Sequence, residues 1–275
     1  MMGGVNDEPA PLTPDAVRLD GRVVVVTGAA NGIGRATAVA AAAFGASVAV
    51  CDRDADGLAV LVDELARDRS VGPDRVHAEV LDVRDRDSVA AFVDATVARF
   101  GVVHGLVNNA GGTYRAEFVD SSAKGDRALV DENFTSVVDV TRAVVEAMGA
   151  GGSIVNVTSS EAFQAAPGFS VYAAMKAAVE NLTRTLALEL ADRGIRVNSV
   201  APDGIPTHGD AALAEAVQAE SRFRPPPVPP IGRFADPSEA ASVIVFLLGD
   251  LARFVTGTTL HVDGGLHAAG GWHRI

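Results

Sequence analysis

A phenol and an amine four residues apart on one helix can build a proton-transfer site, and Tyr172 and Lys176 stand at that spacing. They fall in an apolar-periodic segment that begins near Ser170 or Val171, after the break at Pro167 and Gly168, and runs to about Leu190. A free tyrosine loses its proton only near pH 10, but a neighbouring ammonium favours the phenolate and lowers that value, each pH unit being worth about 1.4 kcal/mol. A tyrosine tuned in this way exchanges a proton with an alcohol or a ketone. Alone, such a pair reads more readily as a helix aromatic beside a solvated charge. Two features argue for chemistry. Of the 23 cationic side chains only Lys124 and Lys176 are lysines, and an ammonium is a compact point charge that a planar guanidinium does not replace. Ser159 closes the β-branched run Ser153–Val157, within the hydroxyl cluster Thr158, Ser159 and Ser160, and can offer its hydroxyl to the same substrate oxygen.

The elements that must carry these groups alternate strand and helix. Arg22–Thr27 is an apolar β-branched strand entering a glycine turn, Ile33–Phe44 is an alanine-rich helix closed by Gly45, and Ser47–Cys51 is a second strand. That order is a βαβ unit and predicts a doubly wound α/β fold on a parallel sheet of about seven strands. Gly28, Gly32 and Gly34 let the backbone approach a pyrophosphate, whose charge the following helix N-terminus stabilises. Asp52 ends the second strand, where a carboxylate accepts hydrogen bonds from an adenosine ribose and repels a 2′-phosphate, so NAD is expected over NADP. Arg53 beside it works the other way, since a guanidinium can stack on adenine or meet a phosphate.

The alternation continues with helices at about 56–69 and 86–99 and strands at 76–80 and 104–107. A long helix over roughly 126–148 contains Asn133, then follow a strand at 195–200, a helix opened by Asp236 and Pro237 and ending near Leu248, and a last strand at 258–262. Residues 1–18, rich in Pro, Gly and acids, read as a mobile tail preceding a catalytic domain over 19–275, and 205–230, with the run RPPPVPP, reads as a lid over the substrate pocket. A short helix is expected over 211–221, and Trp272 is expected to pack on a neighbouring subunit.

The motifs T-G-A-A-N-G-I-G at 27–34, N-N-A-G at 108–111, Asn133, Ser159 and Tyr172 with Lys176 resemble, in this order and at these intervals, the short-chain dehydrogenase/reductase family in its compact single-domain branch. The resemblance runs from about Leu19 to Gly265. It implies reversible hydride transfer between a nicotinamide cofactor and a secondary alcohol or ketone. Tyr172 would be the acid-base group, Ser159 would bind the substrate oxygen, Lys176 would tune the tyrosine and hold the nicotinamide ribose, and Asn133 would hold a relay water. Asn31 and Ile33 would join the glycines at the pyrophosphate, Asp82 and Val83 would contact the adenine, and Asn109, Ala110 and Gly111 would shape the passage of the cofactor. Pro202, Ile205 and Thr207 would lie against the nicotinamide.

The chain departs from the family pattern at three places. Asp203 stands where glycine is expected, with Gly204 able to supply the same freedom one place later. Met175 replaces a small residue before Lys176, and Glu161 with Ala162 replaces a small pair. Glu161, Phe163, Gln164 and Phe169 are therefore expected to shape a substrate pocket with an apolar wall and one acidic group. A homotetramer is implied by the resemblance, with a dimer as the second expectation.

Composition narrows the alternatives. A net charge of -12 argues against nucleic-acid or anionic-membrane partners. No apolar run reaches the length of a membrane span, and the single cysteine, Cys51, fits a reducing compartment, so a cytoplasmic protein is expected. The six histidines show no metal-ligand spacing, and no metal is expected. No G-x-S-x-G elbow is present, which argues against a hydrolase. A non-catalytic dinucleotide sensor is the other reading of the same fold; the acid-base set, which a sensor does not need, speaks against it.

Overall fold

The structure is a computed structural model that describes residues 12–68, 71–206 and 228–270. The run Val23–Thr27 forms β1 with every residue buried, as expected of a parallel strand covered on both faces. It leads through the glycine turn into α1 (Gly32–Ala43), then β2 (Ser47–Asp52), α2 (Ala55–Arg67), β3 (Val76–Val80), α3 (Arg86–Phe100) and β4 (Val103–Asn108). The second half contains α4 (Ala123–Val130), a π-turn (Asp131–Thr135), α5 (Ser136–Ala147), β5 (Met148–Val157) and α6 (Ser170–Glu189). It closes with β6 (Ile195–Pro202), α7 (Pro237–Leu248), β7 (Thr259–Val262) and the single turn α8 (Leu266–Ala269).

Side chains set several helix starts. Asp54 accepts from the Gly57 amide, Asp85 from those of Asp87 and Ser88, and Asp236 forms a reciprocal capping box with Glu239. α1 differs, because Asn31 at its N-cap makes no side-chain bond to the first turn.

The seven strands are all parallel to their neighbours and lie in the order β3-β2-β1-β4-β5-β6-β7. The chain winds outward from β1 in one direction and from β4 in the other, so a crevice opens between the carboxyl ends of these two strands. Strand periodicity divides the core between the faces. Val24 and Val26 pack with α1, α2 and α7 residues such as Ala38, Leu58, Leu61 and Ile244, while Val25 packs with Phe92, Val140 and Val144 of α3 and α5. Cys51 is buried on the second face, which raises its thiol pKa by desolvation and leaves it inert.

Two boundaries differ from the sequence expectation. The helix expected over 126–148 is two α-helices joined by the π-turn that holds Asn133. β5 starts at Met148 rather than Ser153, because Met148 pairs with Val103 and, after a register shift through the glycines, Gly152 pairs with Ile195 and Ser153 with Gly105. Glycine has no side chain to advertise a strand, so sheet pairing decides this segment. Thr207, the expected helix over 211–221, most of the expected lid and Trp272 lie outside the described residues.

Candidate active site

The site is assembled where β1, β4, β5 and β6 end. At β1 the chain turns on Gly28 and Gly32, with φ of +66° and +55°, in the left-handed region that glycine adopts without strain. Packing there is too close for any side chain: a methyl on Gly34 would stand 2.1 Å from the Gly28 carbonyl oxygen and 2.4 Å from Asn109 Nδ2. Asn109 clamps the turn from β4, its amide donating to the Thr27 and Gly28 carbonyls at 3.1 and 2.9 Å, and Thr27 Oγ1 accepts from the Asn109 and Ala110 amides, both at 3.1 Å. With Asn31 turned away to donate to Asp54 at 3.0 Å, the first turn of α1 presents its N–H groups to the crevice without a side-chain cap. These residues fit a pyrophosphate.

Asp52, at the end of β2, accepts from the Ala30 amide at 2.9 Å and the Asp54 amide at 3.0 Å, which holds its carboxylate beside the glycine turn. Arg53 is largely exposed and reaches Glu132 of the π-turn at 3.5 Å. Asp82 is tied to Arg84 by an ion pair and accepts the Arg84 amide at 3.0 Å, which lowers its pKa, and Val83 is buried behind it.

Asn133 is fully buried. Its amide donates to the Gly112 carbonyl at 2.9 Å and to the Leu129 carbonyl four residues back at 3.0 Å, while its Oδ1 accepts the Gly112 amide at 3.3 Å. The π-turn releases helical carbonyls and Asn133 and Ser136 take them up, Ser136 Oγ donating to the Glu132 carbonyl at 2.7 Å. Lys176 is buried as well; its Nζ donates to the Val157 carbonyl at 3.1 Å and lies 5.5 Å from the Tyr172 ring centre. Burial brings its pKa from 10.5 down to about 8, against the opposing pull of Glu161 and Glu132. Lys176 and Asn133 converge on Gly111, where a methyl would sit 3.2 Å from Nζ and 2.8 Å from Asn133 Oδ1. Three segments distant in sequence thus meet at one point beside Tyr172.

Ser159 caps a single 3₁₀ turn, Ser160–Ala162, and its hydroxyl bonds the Glu161 carboxylate. The adjacent Ser160 bonds Asp203, whose other oxygen accepts the Gly204 amide at 2.6 Å; Gly204 takes φ of +62°, so the left-handed residue of this loop sits one place after the position where the family pattern has glycine. Pro202 ends β6, and Ile205 is buried beyond the turn. Gln164 is exposed and Phe169 half-buried at the start of α6. Phe163 meets a stacked histidine pair, its ring centre 4.8 Å from His261 and 5.5 Å from His267.

The buried face of α6 continues from Lys176 through Glu180 and Thr183. Glu180 accepts from Thr158 just after β5, Ser199 within β6 and Thr259 at the start of β7, tying the three strands together. Asn108 donates to Asn156 at 2.8 Å and Asn156 to Thr183 at 2.8 Å, a buried ladder across β4, β5 and α6. Sequence reasoning passed over Glu180, Thr183 and Asn156. Glu180 and Thr183 follow Lys176 at helical spacing on the buried face of α6, and Asn156 is a polar residue inside the apolar run of β5.

A doubly wound parallel sheet with a glycine turn after its first strand, a serine just beyond β5 and a tyrosine and lysine one turn apart on α6 defines a dinucleotide-dependent oxidoreductase. A family model described as "Enoyl-(Acyl carrier protein) reductase" matches residues 28–267. The chain is 40% identical to the 3-oxoacyl-acyl-carrier-protein reductase FabG of Thermotoga maritima, over 91% of this chain and 99% of that one. It is 37% identical to the D-threitol dehydrogenase of Mycolicibacterium smegmatis, over 90% and 94% respectively. The crystal structure of a gluconate 5-dehydrogenase from Burkholderia cenocepacia, in complex with NADP and tartrate, superposes with a TM-score of 0.82 at 33% identity, covering 93% of this chain and 98% of that one. The chain belongs to the short-chain dehydrogenase/reductase family. It is a nicotinamide-dependent oxidoreductase of alcohol and ketone groups. Among the described residues no helix is long and apolar enough to cross a membrane.

Proposed function

We propose that the protein interconverts a secondary alcohol and its ketone, with Tyr172, Lys176, Ser159 and Asn133 as the acid-base site and NAD as the preferred cofactor. The observation that carries this reading is the convergence of Lys176 Nζ and Asn133 Oδ1 on Gly111, one helical turn from Tyr172. When bound, the nicotinamide accepts or supplies the hydride. The chain's own groups handle the proton. Tyr172 takes it from the alcohol in oxidation and returns it to the ketone oxygen in reduction. Lys176, charged for the most part at neutral pH given a pKa of about 8, stabilises the phenolate. Asn133 holds its position through Gly112 and Leu129 and offers Oδ1 to a relay water. Ser159 binds the reacting oxygen. Glu161, Phe163, Gln164 and Phe169 surround the rest of the substrate, and an acidic group there favours hydroxylated over anionic substrates.

Asp52 supports NAD, since its carboxylate is held where a ribose hydroxyl would lie and a 2′-phosphate would be repelled. NADP is the second reading, favoured by the exposed Arg53 guanidinium and by the NADP in the related gluconate dehydrogenase. Titration with NADH and NADPH, followed by turnover on a panel of secondary alcohols and ketones, tests both. The expected result is tighter NADH binding, a preference lost in Asp52→Ala, and turnover that disappears in Tyr172→Phe. Tighter NADPH binding by the unmodified protein refutes the NAD assignment, and turnover surviving in Tyr172→Phe refutes the acid-base assignment.

A further inference from the structure

Glu161 lies two residues after Ser159, and the hydroxyl of Ser159 is bonded to its carboxylate, with the Glu161 amide returning to Ser159 Oγ at 3.3 Å. The charged groups acting on Glu161 are Asp203, from the loop after β6, and Lys176, from α6. Toward β7 and α8 the titratable neighbours are His261 and His267, which reach this turn through Phe163.

We propose that Glu161 is a positioning residue that sets the direction of the Ser159 hydroxyl proton: protonated Glu161 makes Ser159 a donor to the reacting oxygen, and ionised Glu161 takes that donor away. The proposal rests on the role given to Ser159 above. A carboxylate is an acceptor only, and a serine has one proton to give. When Glu161 is ionised, that proton is committed to it, and Ser159 shows the substrate only lone pairs. When Glu161 is protonated it donates to Ser159 Oγ, and the serine proton turns outward. The reacting oxygen gains negative charge in the transition state whether an alcohol is being oxidised or a ketone reduced, so it needs a donor in both directions. An ionised Glu161 also places like charge near that oxygen. Desolvation raises the Glu161 pKa, Asp203 adds to the rise, and the Ser159 bond and Lys176 offset it in part. The protonated form therefore persists to higher pH than an ordinary glutamate allows.

The test is the pH profile of kcat/KM for ketone reduction in wild type and Glu161→Gln, with Tyr172→Phe as control. In wild type the rate should fall on the order of 10²-fold through a titration above the ordinary carboxyl range, the size expected for one lost transition-state donor. A second fall follows as Tyr172 deprotonates. Glu161→Gln, which cannot titrate, should lack the first limb and keep the second. A wild-type profile without the first limb, or the same limb in Glu161→Gln, overturns the proposal; turnover surviving in Tyr172→Phe would instead overturn the reading on which it rests. A second measurement needs no substrate. In carboxyl-labelled protein saturated with its cofactor, the carbon resonance absent from Glu161→Gln should titrate above the usual glutamate value and move further up in Ser159→Ala. An ordinary midpoint, or one indifferent to Ser159, overturns it.

Discussion

Replacing Lys176 by methionine should make the protein more stable at neutral pH while removing its activity. The side chain is fully enclosed, and burial lowers its pKa from 10.5 to about 8. In the unfolded chain the ammonium is solvated, so folding at pH 7 carries a charged group into an environment that disfavours it by roughly 2.5 pH units, or ~3 kcal/mol at about 1.4 kcal/mol per unit. Between the two values the unfolded state binds more protons than the folded one, so stability rises with pH there. The cost is present in full below pH 8, shrinks from about 8 to 10.5 and is gone above. Methionine keeps most of the packing but leaves the Val157 carbonyl without its donor, which returns about 1 kcal/mol or more. The net gain expected at pH 7 is ~1–2 kcal/mol, a rise in Tm of roughly 2–8 °C for a chain of this size. Urea unfolding of both proteins at pH 7, 8 and 9.5 measures it. A methionine variant less stable than wild type at pH 7, or a difference that does not shrink by pH 9.5, refutes the reasoning. Either result would mean that the site's acidic neighbours offset the desolvation and that Lys176 contributes to the fold as well as to the chemistry.

Two other substitutions separate binding from framework. Gly34→Ala places a methyl 2.1 Å from the Gly28 carbonyl, and relief of that overlap should cost ~1–3 kcal/mol and weaken dinucleotide binding at least tenfold, read by thermal unfolding and by NADH fluorescence titration. Asn156→Leu removes the middle of the Asn108–Asn156–Thr183 ladder and takes one buried bond each from Asn108, which keeps Thr141, and Thr183, which keeps the Val179 carbonyl, so a loss of about 1–3 kcal/mol is expected in urea unfolding, with cofactor affinity in the surviving folded protein nearly unchanged. An Asn156→Leu protein as stable as wild type would show that water replaces the asparagine.

Much of this molecule was decided locally, and those parts were legible in the chain. Val23–Val26 is β-branched and apolar at every position, which only a strand covered on both faces accommodates, and Gly28, Gly32 and Gly34 mark a turn in which Gly28 and Gly34 leave no room for a side chain and Gly32 takes the left-handed region. Tyr172 and Lys176 share a helix face because 3.6 residues make a turn. The seven-stranded parallel sheet follows from the repeated alternation of strand and helix. What the chain could not declare was everything set by contacts between distant segments. The glycine-rich start of β5 becomes strand only because β4 lies beside it, and the break that centres Asn133 in a π-turn depends on Gly112, which is 21 residues away. That Asp203 bonds Ser160, and that Glu180 gathers hydroxyls from Thr158 after β5, from Ser199 in β6 and from Thr259 in β7, are likewise tertiary facts. The physical reason is the same in each case. Backbone geometry and side-chain period act over a few residues and are written in the sequence, whereas the partner of a buried polar group is whichever segment the fold brings to it.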